Sequence, residues 1–218
     1  MKTEKKEIAA YLALKEGGSG EIEEKKSRFI ATLRPVETEE EAIVFIEEMK
    51  KKYWDARHNC YAYVLGADAQ IMRYSDDGEP GGTAGKPMLE VLLGSGVRNI
   101  AAVVTRYFGG TLLGTGGLVR AYTQAVKEGL RHCSVSSRRP GIRLTLKTDY
   151  NAVGKVLYLL EKSRLTPEDS AYETDVCLTV ALPKEKRESL CKELTEATAG
   201  KIEIRELEEM IYEEEHML

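Results

Sequence analysis

Eleven of the nineteen glycines lie within residues 76–120, and this clustering constrains the fold more than any other feature of the sequence. Most of them belong to two loops, Ser75–Pro87 and Arg106–Gly117, and each loop follows a predicted strand and leads into a predicted helix. Glycine permits positive φ and lets a ligand approach the backbone closely. The N-terminus of a helix presents free N–H groups that favour an anion. The sequence therefore predicts that the two loops form the working surface of the protein.

Neither loop matches a standard nucleotide-binding motif. A phosphate-binding loop has the pattern G-x-x-x-x-G-K-[ST], whereas Gly85–Lys86 has Pro80 at the position of the first glycine and Pro87 after the lysine. The dinucleotide fingerprint G-x-G-x-x-G, begun at Gly114, has Val119 at its third glycine position. An ATPase or a Rossmann dehydrogenase is therefore disfavoured. The alternative to ligand binding is that these glycines only make tight turns where elements pack closely.

Charged and aromatic residues in the loops are candidates for ligand contact. Arg106 and Tyr107 follow a buried strand, at a position where α/β proteins tend to bind ligands. Asp76, Asp77 and Glu79 can ligate a hard cation such as Mg²⁺ or orient a basic partner. Acidic residues are also common in turns, so ordinary turn formation is the alternative for these three carboxylates.

A stripe of polar and basic residues follows the second loop. Arg120, Gln124, Lys127 and Arg131 recur at helical spacing, so they are predicted to share one face of a helix. Such a stripe can track a phosphate backbone. Cations near the end of a helix also complement its dipole, which would account for Lys127 and Arg131 without a ligand.

No catalytic set stands out in the sequence, and no metal or cofactor is predicted. Cys60 follows His58 by two residues in a predicted strand, so both side chains point to one face and a Cys–His nucleophile is possible. A core or turn role is favoured, because Tyr61 and Tyr63 lie in the same strand. His132–Cys133 adds two further zinc-ligand types, but the spacing is not that of a zinc finger or knuckle.

Charge and cysteine usage exclude several classes of protein. The formal net charge is −4. Residues 1–137 carry 19 Lys and Arg against 19 Asp and Glu, so they are neutral overall and the net charge belongs to the rest of the chain. Neither part is therefore a strongly basic nucleic-acid-binding domain. Four scattered cysteines without a C-x-x-C pair indicate free thiols in a reducing compartment. No segment has the roughly 18 apolar residues of a membrane span, and the first residues do not form a signal peptide. We therefore expect a cytoplasmic protein with no membrane partner.

The pattern of the first 135 residues predicts alternating strands and helices. Thr38 and Glu41 form a capping-box pair at the start of a helix. The run Ile100–Val104 is continuously apolar, as in a strand that is buried on both faces. The remaining predicted elements are an apolar segment 8–14, a turn at 17–20, strands 21–34, 60–65 and 70–74, and helices 87–93 and 118–130.

The polar segment Ser134–Gly141 is the predicted domain boundary. Beyond it we predict strand 142–148, helix 150–163, strands 165–173 and 174–182, helix 184–198 and strand 202–209. This βαββαβ order is that of a ferredoxin-like unit, and the tail Glu213–Glu215 is expected to be frayed and solvated. The sequence thus predicts an α+β protein with two domains, residues 1–135 and 140–218.

Four motifs resemble the IMPACT/YigZ family in their order and spacing. They are Lys26–Phe29, Ala56–Tyr63, the loop Ser75–Pro87 and Val104–Tyr122, which reads VTRYFGGTLLGTGGLVRAY. The resemblance implies that the first domain has the fold of the second domain of ribosomal protein S5. It also implies that the second domain is the ferredoxin-like domain of bacterial members, which is similar to the last domain of elongation factor G.

The resemblance implies a role linked to translation. Eukaryotic IMPACT proteins regulate translation by competing for the activator of a stress-responsive initiation-factor kinase. The sequence shows no sign of their separate N-terminal recruitment domain, so that kinase-linked role is not expected here. No catalytic residue set comes with the family.

Two functions are consistent with these observations. The first is a binding protein, more consistent with the sequence than an enzyme, that contacts RNA, a ribosomal component or a translation factor, with no DNA sequence specificity. The second is an enzyme that acts on a phosphorylated small molecule through the same loops. The candidate binding residues are Lys26, Arg28, Asp76, Asp77, Glu79, Lys86, Arg106, Tyr107, Gly109, Gly110, Gly114, Gly116, Gly117 and Arg120.

Overall fold

The helices and strands of the protein are taken from a computed structural model, which describes residues 9–216. The chain divides into two compact units, residues 11–137 and residues 138–213. The first contains β1 Tyr11–Glu16, β2 Gly18–Glu24, β3 Ser27–Pro35, α1 Glu39–Lys52, β4 His58–Leu65, β5 Ile71–Ser75, α2 Gly85–Ser95, β6 Val97–Arg98, β7 Ile100–Tyr107 and α3 Gly114–Leu130. Strand β8, Ser134–Thr148, continues into the second unit, which adds α4 Val153–Lys162, β9 Asp169–Tyr172, β10 Val176–Pro183, α5 Arg187–Ala197 and β11 Glu203–His216.

A five-stranded sheet forms the centre of the first unit. Its strand order is β2-β3-β7-β4-β5, and every neighbouring pair is antiparallel. Helices α2 and α3 cover one face, where Ala102 and Val104 are buried, and α1 covers the other, where Ala101 and Val103 are buried. The prediction that the run from Ile100 is a strand buried on both faces is confirmed. The short strand β1 pairs with β6 and β8 instead.

The second unit follows the βαββαβ order that the sequence predicts. Its strands pair in the order β11-β8-β10-β9, and β8 and β10 are antiparallel. Alternate residues of these two central strands, such as Leu144 and Val180, face Leu160 of α4 and Leu194 of α5 in one apolar core. With two sheets and five helices in residues 9–216, the α+β class is confirmed.

The predicted cap of α1 is present. Thr38 Oγ1 accepts a hydrogen bond from Glu41 N at 3.2 Å. The Glu41 carboxylate accepts from Glu37 N at 2.7 Å, one residue before the position that a capping box uses. These side-chain acceptors satisfy backbone donors at the start of α1, and the helix begins where the sequence indicates.

The predicted turn at residues 17–20 and the single strand 21–34 are wrong. Gly18 and Gly20 lie inside β2, and the chain turns at Lys25–Lys26, whose φ angles are +48° and +66°. A side chain is not tolerated at the two glycines, because a Cβ at Gly18 would lie 2.4 Å from His132 O and one at Gly20 would lie 2.8 Å from Glu128 C. These glycines allow β2 to approach the end of α3 closely, so they mark packing and not a turn.

Two other expectations are corrected at the ends of elements. The polar segment Ser134–Gly141 forms the first half of strand β8, and the two units divide within it, after Ser137. The tail Glu213–Glu215, which was expected to be frayed, belongs to strand β11. Both helices that follow the glycine loops begin earlier than predicted, α2 at Gly85 and α3 at Gly114. The first residues of each helix are therefore part of the glycine loop itself. The N-terminal part of the predicted apolar segment, residue 8, lies outside the described residues.

Candidate functional site

A row of three side chains crosses the sheet at the end of β7. Arg106 pairs in register with Phe29 of β3 on one side and with His58 of β4 on the other. Directly opposed residues of antiparallel strands point to the same face, and here that face is the one covered by α2 and α3. The Arg106 guanidinium carbon lies 5.5 Å from the centre of the Phe29 ring. The row places a cation and an imidazole together where both glycine loops leave the sheet.

Arg106 is held by a buried ion pair from the first loop. Its Nη1 lies 2.7 Å from Glu79 Oε1, and only 8% and 3% of the two side chains are exposed. The same carboxylate oxygen accepts a hydrogen bond from the Tyr122 hydroxyl at 2.8 Å. Removing one member of a buried pair leaves an uncompensated charge, which is strongly destabilising. The sequence-predicted ligand residues Arg106 and Glu79 are therefore brought together, and they bind each other.

Cys60 lies in the same buried network and is not activated. Its Sγ lies 3.3 Å from the Tyr122 hydroxyl and 2.9 Å from the carbonyl oxygen of Asp76. Burial raises the pKa of the Cys60 thiol well above its usual range, and burial likewise raises the pKa of Tyr122. The hydrogen bonds of Cys60 within residues 9–216 do not include His58. The favoured core role for Cys60 is confirmed.

The remaining carboxylates of the first loop hold the loop together. Asp76 accepts three backbone hydrogen bonds, from Gly82 N at 2.8 Å, Ala84 N at 3.0 Å and Gly85 N at 2.8 Å. It therefore caps the start of α2, whose own N-cap residue has no side-chain acceptor. Asp77 Oδ2 accepts from the backbone of the strand opposite, Asn59 N, at 2.7 Å. These contacts account for Asp76 and Asp77 as turn-forming residues.

The second loop is fixed against the β2–β3 turn. Gly109 N donates to Ser27 Oγ at 3.1 Å, and a Cβ at Gly109 would lie 2.0 Å from the carbonyl carbon of Lys26. Gly110 and Gly114 have φ angles of +87° and +71°, a region that favours glycine. The loop therefore needs glycine for a close approach and for two left-handed residues.

The start of α3 is positively charged. Gly116 and Gly117 form its first turn, and Gly116 lies close to the guanidinium of Arg120, since a Cβ there would lie 3.8 Å from Arg120 Nη1. Arg120 and Lys86, in the first turn of α2, take part in no ion pair within the described part of the chain. A cation beside the free N–H groups at the start of α3 favours an anion, whereas backbone N–H groups at the start of α2 already donate to Asp76.

Arg28 and Tyr107 are partly engaged by neighbouring side chains. Arg28 forms two hydrogen bonds with the Glu21 carboxylate, at 2.7 and 3.0 Å, which raise the pKa of Arg28 and lower that of Glu21. Its guanidinium also lies 5.8 Å from the centre of the Tyr107 ring. The Tyr107 hydroxyl donates to Asp55 Oδ1 at 2.8 Å, and this hydrogen bond raises the pKa of Tyr107.

A depression of about 590 Å³ opens at the end of β7 and contains residues that sequence reasoning did not select. Phe108 and Leu112 are exposed there, at 53% and 83%. The Arg106 guanidinium lies 5.7 Å from the centre of the Phe108 ring. Arg57 takes part in no ion pair within residues 9–216. We call this feature the β7-end depression, and it is lined by Asp55, Arg57, His58, Arg106, Tyr107, Phe108 and Leu112.

The sequence did contain a signal for the missed residues. Phe108 and Leu112 are large apolar residues inside a glycine-rich loop, where core packing is least expected. Arg57 directly precedes strand β4, and His58 is its first residue. The sequence does not tell which of the loop residues point outward, because that depends on the close contact between Gly109 and Lys26.

The predicted stripe on α3 lines one surface. Arg120, Gln124, Lys127 and Arg131 all border a second depression, of about 440 Å³. Arg131 forms an ion pair with Glu128 at 2.7 Å, so its guanidinium is less available to a ligand. The helical periodicity of these residues therefore places them on one face, as predicted.

Two further structural findings concern metals and membranes. Among residues 9–216, no group of three or more His, Cys, Asp or Glu side chains is placed to hold a metal ion. Within the same residues, no helix is both long enough and apolar enough to cross a membrane.

Comparison with known proteins identifies the family to which the chain belongs. Residues 25–130 match the family model described as Impact N-terminal domain, and residues 146–201 match a domain of unknown function, DUF1949. The chain is 43% identical to IMPACT family member YvyE of Bacillus subtilis over 91% of its own length and 92% of that protein. The chain belongs to the IMPACT family. The β7-end depression and both glycine loops lie within the part that matches the Impact N-terminal domain.

Other IMPACT family relatives differ in how much of the chain they share. IMPACT family member YigZ of Escherichia coli is 43% identical over 85% of this chain and 92% of its own length. A solved structure titled "Crystal structure of an hypothetical protein" is 40% identical, has a TM-score of 0.60 and covers 92% of this chain and 98% of its own. A protein IMPACT homolog from Dictyostelium discoideum matches 43% of this chain at 40% identity and 28% of its own length.

Proposed function

We propose that this IMPACT family protein is a binding protein of the translation apparatus that takes single-stranded RNA into the β7-end depression. The observation that carries this proposal is the exposed ring of Phe108 in one depression with the guanidinium of Arg57 and the imidazole of His58. Proteins that bind single strands combine aromatic rings, on which bases stack, with cations that contact the phosphates. The cytoplasm is the proposed compartment, which the four free cysteines support.

The geometry narrows the contact set that the sequence suggested. Arg106, Glu79 and Asp76 are engaged inside the protein, so they shape the surface without being free to contact RNA. Lys26 takes part in no ion pair within the described chain, and it lies against the second loop at Gly109. We therefore propose base stacking on Phe108, with phosphate contacts from Arg57, Lys26 and Arg120.

The fold assignments are proposed with the function. The antiparallel order β2-β3-β7-β4-β5 with helices on both faces supports an S5 domain 2-like first unit. The βαββαβ order and the strand order β11-β8-β10-β9 support a ferredoxin-like second unit, similar to the last domain of elongation factor G. Both fold types recur in translation proteins, which supports a role there by analogy of fold.

The test is a titration of a fluorescently labelled 12-nucleotide RNA of mixed sequence, followed by anisotropy. Phe108→Ala should weaken binding about 5- to 160-fold, because stacking of one base contributes about 1–3 kcal/mol. Arg57→Gln should weaken binding and reduce the slope of log K against log salt by about 1, since it removes one phosphate contact.

Matched controls separate this surface from general effects. Tyr158→Ala removes an aromatic side chain of similar exposure from α4, and Lys51→Gln removes an exposed cation from α1. Neither should change RNA affinity. RNA that fails to bind, or that binds equally well to Phe108→Ala, would contradict the proposal. Capture of a protein or a phosphorylated small molecule at the same surface would favour a different function.

A further inference from the structure

His58 has one orientation fixed by the first loop. Its Nδ1 lies 2.8 Å from the carbonyl oxygen of Asp77. A carbonyl oxygen only accepts hydrogen bonds, so Nδ1 carries the hydrogen and donates. Gly78 lies along the same edge of the ring, since a Cβ there would be 3.4 Å from Nδ1 and 3.5 Å from Cε1. His58 lines the β7-end depression, and with Nδ1 turned to the loop, Nε2 is the ring nitrogen left for a ligand.

The loop holds this orientation by several contacts. Asp77 has a φ of +43°, and its side chain accepts from Asn59 N at 2.7 Å while its own N–H donates to Ser75 Oγ at 3.2 Å. The Asn59 side chain in turn accepts from Thr105 Oγ1 at 2.7 Å. The carbonyl that orients His58 is therefore anchored to two strands of the sheet.

With the hydrogen on Nδ1, Nε2 is a hydrogen-bond acceptor, whereas the cations that line the depression, Arg57 and Arg106, only donate. Asp55 Oδ1 already accepts from the Tyr107 hydroxyl. His58 Nε2 has no hydrogen-bond partner within residues 9–216. The depression thus offers an aromatic ring, cations and an unpartnered ring nitrogen whose direction is fixed.

We propose that His58 Nε2 accepts a hydrogen bond from the 2′-hydroxyl of a ribose, so that the β7-end depression selects RNA over DNA. This inference rests on the proposed function. A ribonucleotide that stacks its base on Phe108 and directs its phosphate toward Arg57 carries a hydroxyl donor on the sugar between these two groups. The 2′-hydroxyl is the group by which a protein distinguishes RNA from DNA at a given site. A deoxyribonucleotide has no donor there, and the desolvated Nε2 is then left without a partner.

The experiment compares three 12-nucleotide strands of one sequence on the wild-type protein: RNA, DNA and 2′-fluoro RNA. The 2′-fluoro group has no hydrogen to donate, yet it is small and retains the sugar pucker of RNA. One hydrogen bond contributes about 0.5–1.5 kcal/mol, so RNA should bind about 2- to 12-fold more tightly than 2′-fluoro RNA. His58→Phe, which retains a planar ring without an acceptor, should reduce this ratio to about one.

The outcomes distinguish this inference from the proposed function. If none of the three strands binds, the proposed function fails. If all three bind the wild type equally, and Phe108→Ala weakens all of them, RNA binding at the depression stands but recognition of the 2′-hydroxyl by His58 is overturned. A ratio that persists in His58→Phe also overturns the inference, because another residue then reads the hydroxyl. The comparison of strands on the wild type needs no variant, so a folding defect in His58→Phe cannot obscure the result.

Discussion

Arg106 shows why residue type and position do not by themselves identify a ligand contact. It lies at the end of the buried strand β7, a position that favours a functional role, yet its guanidinium is paired with Glu79, 27 residues earlier in the sequence. Its Nε is buried without a hydrogen-bond partner. Arg57, by contrast, has no ion-pair partner within the described chain and borders the same depression. Of the two arginines in the β7-end depression, the one available to a ligand is therefore the one that the sequence pattern did not select.

The buried ion pair between Arg106 and Glu79 can be tested by a substitution that keeps the size and shape of the Glu79 side chain. Glu79→Gln removes the negative charge and leaves Arg106 as a buried cation without a counterion. We expect the free energy of unfolding to fall by about 3 kcal/mol, because breaking a buried ion pair from one side is strongly destabilising. Urea denaturation followed by circular dichroism measures the change.

An exposed pair in the same unit provides the control for this charge removal. Glu21→Gln breaks the ion pair with Arg28, whose side chains are about half exposed, and it should leave stability nearly unchanged because water screens such pairs. If Glu79→Gln were no more destabilising than Glu21→Gln, the buried network would not have the structural role that we assign to it.

The loops as elements were more predictable than the residues they expose. Their place after strands and before helices follows from the sequence, and glycine at positive φ is required at Gly110 and Gly114. The β2–β3 turn was missed because Lys25–Lys26 adopts left-handed conformations without glycine, asparagine or aspartate. The segment Ser134–Gly141 carries turn residues but forms a strand, since pairing within a sheet overrides local propensity.

Gly109 allows the attachment of the second loop to be tested. A Cβ at this position would lie 2.0 Å from Lys26 C, a backbone atom that cannot move without shifting the β2–β3 turn. Gly109→Ala should therefore destabilise the protein by about 1–3 kcal/mol and should weaken RNA binding, because Phe108 is carried on the same loop. Thermal unfolding and the anisotropy titration measure the two effects.

Gly81 provides the control position for the Gly109→Ala substitution. It lies in the first loop, a Cβ added there would meet no atom within 4 Å, and its φ is not positive. Gly81→Ala should change stability by less than about 1 kcal/mol, in the stabilising direction, because alanine reduces the entropy of the unfolded chain. Equal effects of the two substitutions would show that the contact between Gly109 and the turn does not restrain the loop.

At the scale of the whole molecule, each unit closes its own apolar core, and the proposed function needs only the first. The part that matches the Impact N-terminal domain contains the depression, both glycine loops and His58. The relative from Dictyostelium discoideum shares less than half of this chain. The order of elements in the second unit was predictable because it depends on hydrophobic periodicity. The depression was not, because it depends on contacts between residues far apart in sequence.

Several buried phenols and thiols make the free energy of unfolding depend on pH in the alkaline range. Burial and a hydrogen bond to Glu39 raise the pKa of Tyr63 to about 12. Burial raises the pKa of Cys133 to about 11, and it raises those of Cys60 and Tyr122 as well. In the unfolded chain these thiols and phenols lose their protons near about pH 8.5 and about pH 10, respectively. Between those values and the raised pKa values the native state holds more protons than the unfolded state, so the free energy of unfolding falls as the pH rises.

We therefore expect full stability below about pH 8 and a progressive loss from about pH 9 to about pH 12. Urea denaturation at a series of pH values measures this slope. Tyr63→Phe has no phenol to ionise at this position, so its stability should fall less steeply above about pH 10. Tyr158→Phe, which changes an exposed tyrosine on α4, should keep the wild-type slope. A Tyr63→Phe slope identical to that of the wild type would show that Tyr63 ionises equally in the folded and unfolded states, and that the alkaline loss of stability arises from the other buried groups.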